Sequence, residues 1–174
     1  SGPLEPSRVV AIVGSRRASV DAINFAHQLG YHLASAGFVV ASGGAEGIDG
    51  AAHVGAMRRG ATWVVAPCGR GEHYPRKHEP LFKAIEASET SRMIWPLPDG
   101  TPKDPVTPRY RNGVLVALAS TVIVVQAAIS SGSLNAATWA RDLRRPLYVV
   151  PGEPWAFAFE GSKRLILEGS TALW

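Results

Sequence analysis

Four short turns carry the side chains of this sequence best suited to chemistry, and the chemistry they suit is phosphate binding. They are Gly14-Ser15-Arg16, Ser42-Gly43-Gly44-Ala45-Glu46-Gly47-Ile48-Asp49, Gly69 to Tyr74, and Ser130-Ser131-Gly132-Ser133. Glycine lets backbone N–H groups approach an anion with no Cβ in the way, and a helix N-terminus adds its positive end. Arg16, Arg109 and Arg111 supply guanidinium forks, and Asn112 stands beside them. Any one of these turns equally suits helix capping; four at one edge of a sheet point to a binding site.

Other candidates are weaker. Asp49 and His53 are four residues apart and share one helical face, as an acid–base pair would. No nucleophile or metal group accompanies them, which favours Asp49 at a helix start with His53 hydrogen-bonded to it. His73, His78 and Cys68 match no closed zinc spacing, so no metal or other cofactor is expected. Cys68, the only cysteine, excludes an internal disulfide and reads as a small buried residue. Arg141, Arg144 and Arg145 complement a helix C-terminus. The alternation Trp155-Ala156-Phe157-Ala158-Phe159 reads as an edge strand or a subunit contact.

These turns need strands to hold them. Val9–Val13, Phe38–Ala41, Thr62–Ala66, Met93–Trp95, Thr121–Val125 and Leu147–Val150 are apolar runs of strand length. Between them lie stretches of helical period: Val20 to Ala34, about Ile48 to Gly60, Glu79 to Ser88, about Asn112 to Leu118 and about Ser133 to Leu143. Leu165-Ile166-Leu167 reads as a docked C-terminal helix, and Pro96 to Pro108, with five prolines, as a loop. Strand–helix alternation predicts an α/β fold around a mostly parallel sheet, with ligands at the carboxyl ends of its strands.

At 174 residues, 46% apolar and 18% charged, the chain suits one globular domain over residues 8–174. Residues 1–7, opening on Ser1-Gly2, are read as a disordered leader or cleavage scar. The net charge of +4 mildly favours a polyanionic partner. No apolar run approaches the roughly 18 residues of a membrane span, and a cytoplasmic location is expected. G-x-x-x-x-G-K-[ST] and G-x-G-x-x-G are both absent, which argues against P-loop NTPase and hydride-transfer chemistry.

The motifs in order resemble those of the DprA/Smf DNA-processing family. They are Gly14-Ser15-Arg16; Ser42-Gly43-x-Ala45-x-Gly47-Ile48-Asp49-x-x-Ala52-His53; Cys68-Gly69 with Tyr74-Pro75; Arg111-Asn112; Ser131-Gly132-Ser133-Leu134; Pro151-Gly152; and Gly161 with Leu165-Ile166 and Gly169. The resemblance implies a Rossmann-like three-layer sandwich that binds single-stranded DNA, forms a homodimer, loads a RecA-type recombinase and has no established catalytic step. Carried over by position, its DNA- and phosphate-binding residues are Gly14, Ser15, Arg16, Ser42, Gly43, Gly44, Arg111, Asn112, Ser131, Gly132 and Ser133; Gly47 of the second turn and the cation Arg109 are added from their own chemistry. Asp49, His53, Tyr74 and Tyr110 support the pocket, with Tyr110 offering a stacking face.

Some positions depart from the family pattern. Gly113 stands where Arg-Asn-Arg is usual, Pro108 where an aromatic is common, and Glu46 where a basic residue is frequent. His78 and Lys163 replace asparagines. The alternative reading is a nucleotide-binding sensor or nucleotide hydrolase of the same superfamily. Ser130 to Asn135 lacks the glutamate of the hydrolase motif P-G-G-x-G-T-x-x-E, which places hydrolysis second.

Overall fold

The computed structural model describes residues 8–174; the leader expected over residues 1–7 lies outside the described residues. Among the described residues, seven parallel strands, β1 (Val9–Val13), β2 (Val39–Ser42), β3 (Thr62–Val65), β4 (Arg92–Ile94), β5 (Thr121–Val124), β6 (Leu147–Val149) and β7 (Thr171–Ala172), form one sheet. Their order is β4-β3-β2-β1-β5-β6-β7. The helices are α1 (Val20–Ser35), α2 (Ile48–Met57), α3 (Glu79–Glu86), α4 (Thr107–Leu118), α5 (Ser133–Asp142) and α6 (Glu160–Leu167).

β1 lies at the centre because every residue in it is apolar and buried. Val9, Ala11 and Val13 face Leu115 and Val116 of α4 and Ala136, Ala137 and Ala140 of α5. Val10 and Ile12 face Ala22 and Ala26 of α1 and Ile48, Ala52 and Ala56 of α2. Strand periodicity thus divides one run between two cores, giving three layers. Fully burying each Val or Ile stabilises the fold by about 1.5–3 kcal/mol. On α3, Phe82 and Ile85 are buried with Val64 beneath them.

From β1 the chain builds outward through β2, β3 and β4, then returns to place β5 on the other side of β1, pairing Val13 with Val124. The helices leaving β1 and β5 therefore diverge to opposite faces, opening a crevice above the carboxyl ends of these two strands.

Three elements differ from expectation. α4 starts at Thr107, five residues before Asn112, because Asp104 Oδ1 accepts the Val106 and Thr107 N–H groups at 2.7 and 2.6 Å. Pro108 sits in the first helical turn, where its missing N–H leaves nothing unpaired. Arg109, Arg111 and Asn112 are consequently helical. The segment Phe157–Phe159 forms a short 3-10 turn and no edge strand, because Phe159 packs back over Gly152. β7, two residues long, is too short to carry a periodic signal. Among the described residues, no helix is long and apolar enough to cross a membrane.

Candidate functional site

The crevice between β1 and β5 is a cleft of about 470 Å3. Its walls are the Gly14–Arg17 turn, the first turns of α4 with Arg109, Arg111 and Asn112, and the Ser130–Ser133 turn that starts α5. Among the described residues, four arginines and one aspartate line it. Arg16, Arg17 and Arg109 are exposed, so their guanidinium groups reach solvent across the cleft mouth.

The first turn is held from below. Ser15 N–H donates to the Gln126 carbonyl at 2.8 Å, and Ser15 Oγ accepts Arg17 N–H at 3.1 Å. Gln126, fully buried, also accepts Ser19 N–H through Oε1 at 2.9 Å. On the opposite wall, Ser131 and Ser133 hydroxyls lie 2.6 Å apart, and Asn112 Nδ2 donates to the Gly132 carbonyl and Asn135 Oδ1. Asn112 is thus a tie between α4 and α5. Backbone N–H groups of Gly14, Arg16 and Gly132 meet no acceptor among the described residues. Free amides, a helix N-terminus and exposed guanidinium groups make the cleft fit for a polyanion.

The turn after β2 behaves differently from its expected role. Of its residues, Ala45 and Asp49 reach the cleft, whereas Ser42, Gly43, Gly44 and Gly47 do not line it. The reason is an internal anion: Asp49 Oδ2 accepts the N–H groups of Gly43 and Ala45 at 3.2 and 3.3 Å, filling the cradle a phosphate would use. Ser42 Oγ donates to the Ile12 carbonyl at 2.5 Å, and the Gly44 carbonyl accepts from His78 Nδ1. Gly47, at φ +76, brings the two turns together; a Cβ there would strike the Ser15 carbonyl.

Arg111 sits deeper than the other cleft arginines. Expected to bind phosphate through its guanidinium, it lines the cleft yet is only 5% exposed and donates from Nη1 to the Val65 carbonyl at 2.8 Å. Its guanidinium forms a buried floor of positive charge. Burial lowers its pKa while nearby Asp49 raises it; burial raises the Asp49 pKa while Arg111 and the turn amides lower it.

His53 does not bond Asp49. Its Nδ1 lies 2.7 Å from Thr62 Oγ1, whose own proton goes to the Val40 carbonyl, so His53 is the donor and its Nε2 is buried without a partner. Burial, with His78 and Arg111 nearby, depresses its pKa to about 3. His53 therefore stays neutral and supports the α2–β3 contact, not the cleft. Tyr74 lines an adjacent hollow, and Tyr110 projects 55% exposed from α4, outside the cleft lining. Sequence reasoning missed Arg17, whose signal was its place beside Arg16, and Gln126, whose side chain faces inward just past β5 with no motif to mark it. Among the described residues, no group of three or more His, Cys, Asp or Glu could hold a metal ion.

Residues 2–174 match the family model for DNA recombination-mediator protein A. The chain belongs to the DNA recombination-mediator protein A family. A DNA processing protein DprA sequence of Mycobacterium tuberculosis is 36% identical over 166 residues, covering 94% of this chain and 42% of that relative. The chain thus spans less than half of that relative's length. DNA processing protein A of Streptococcus pneumoniae superposes with a TM-score of 0.87 at 28% identity, over 96% of this chain and 58% of that one. DNA processing protein A from Helicobacter pylori gives 0.88 at 27% identity, over 97% and 76%. Within the family pattern, Gly113 finds its reason here: Trp139 of α5 packs on it, in the space a longer side chain would need.

Proposed function

We propose that residues 8–174 act as one domain that binds single-stranded DNA by its phosphates in the cleft between β1 and β5. One observation carries this reading: Arg16, Arg17 and Arg109 stand exposed around a cleft also lined by the N-terminal turn of α5 and by the Gly14 and Gly132 backbone. The structural relative from Helicobacter pylori, described for its single-stranded DNA binding mode, matches over 97% of the chain. Backbone-directed binding of this kind is electrostatic and weakens steeply with salt. Titrating a labelled single-stranded oligonucleotide at two salt concentrations tests it: saturable binding with a negative salt slope is expected, and none at low salt overturns the reading.

No catalytic step is included: among the described residues, the cleft hydroxyls of Ser131 and Ser133 bond each other and no base. Self-association and handover of the strand to a RecA-type recombinase belong to the same proposal, supported by family membership and by the exposed rings of Trp155 and Phe157. A second reading, a small nucleotide ligand, draws on the cleft volume of about 470 Å3, a size that small-molecule sites share. Tight saturable binding of a mononucleotide that displaces DNA at low concentration would favour it.

A further inference from the structure

We propose that Tyr74 is a stacking platform for one nucleobase, in a hollow that continues the arginine cleft; this rests on reading the cleft as a single-stranded DNA site. The hollow, about 300 Å3, is lined by Arg16, Arg17, Ala45, Glu46, Tyr74 and Pro75. Arg16, Arg17 and Ala45 line the cleft as well, so the two spaces meet along a pair of exposed guanidinium groups. A phosphate held at that seam carries a nucleoside on either side.

The two spaces offer different chemistry. The cleft has four arginines and a helix N-terminus, which suit backbone oxygens. The hollow has an aromatic ring 40% exposed, a proline ring next to it and a polar rim at Glu46, which Lys77 holds at 3.2 Å. A flat apolar face edged by polar groups matches a base, whose π-face stacks on aromatic rings irrespective of sequence. Lys103 Nζ sits 5.1 Å from the Tyr74 ring centroid. A cation over the ring engages its electron-rich face, and the flexible lysine stem lets a base take that face while the ammonium turns to the strand's backbone. Tyr110, more exposed, lines neither space and is left out of this role.

The test uses the whole chain and fluorescence anisotropy with two labelled single strands of equal length, one of thymidine and one of abasic residues. The unmodified chain is expected to bind the thymidine strand about tenfold more tightly. Tyr74→Ala should erase that margin while keeping the affinity for the abasic strand and the salt slope; Tyr74→Phe should retain it. A margin that survives in Tyr74→Ala, or equal losses on both strands, overturns the platform and leaves the cleft reading standing. Failure of the unmodified chain to bind either strand overturns the cleft reading and the platform with it.

Discussion

The guanidinium of Arg111 fills the space that a side chain at Gly43 would need. One residue supplies charge from beneath, and the other supplies the room for it. Arg111 Nη1 is fixed on the Val65 carbonyl, with Asp49 as the nearby counter-charge. Removing Arg111 therefore strands a buried carboxylate. Arg111→Ala should lower unfolding stability by on the order of 3 kcal/mol, read from urea denaturation.

Arg16→Ala should spare the fold and weaken binding. Its guanidinium is exposed at the cleft mouth, so stability should change by less than about 0.5 kcal/mol. Binding of single-stranded DNA should weaken, with the salt slope reduced by about 1. An unchanged slope would remove Arg16 from the site.

Acid stability should report His53. With a pKa of about 3 in the fold against 6.5 when unfolded, the unfolded chain alone takes up this proton between those values. Stability is unaffected above pH 6.5 and falls as pH drops below it, by about 1.4 kcal/mol per pH unit from this group. Asp49, whose pKa is raised, acts with the opposite sign above its ordinary value of 3.8. In urea melts at pH 7.5 and pH 5, His53→Gln should lose about 2 kcal/mol less on acidification than the unmodified chain.

Gly47→Ala should separate the two turns. The residue is at φ +76 with the Ser15 carbonyl against it, so a methyl group meets both backbone strain and a collision. A stability loss of about 1–3 kcal/mol is expected, measured by thermal melting, together with weaker DNA binding as Ser15 and Arg16 shift.

Gln126→Leu should leave the net charge alone yet loosen the first turn. Ser19 N–H loses its acceptor, and the Arg16–Arg17 segment loses a support. DNA affinity should fall severalfold while the salt slope stays constant, because no phosphate contact is removed.

Much of the fold was readable from periodicity. Five buried apolar residues at Val9–Val13 and the alternating segments after them specify a parallel sheet whatever the distant contacts, and the polar turns fall where its geometry puts them. Which turns face outward was not readable. Gly43 and Gly44 look like an anion cradle until Asp49, six residues on, folds back into it, and that depends on three-dimensional closure of the turn. The sequence marks Arg111 as a cation but not its depth; its burial depends on the empty volume at Gly43 and an acceptor on β3. Pro108 reads as loop because proline breaks helices in their interior, yet the same residue starts one when Asp104 supplies the cap.

Ser162 and Ala127 are joined in both directions: Ser162 N–H donates to the Ala127 carbonyl, and Ala127 N–H donates to Ser162 Oγ at 3.0 Å. Ala127 directly precedes Ala128 in the cleft wall. The C-terminal helix is therefore a buttress for that wall, and whatever pulls on the tail tugs at the rim three residues before Ser131.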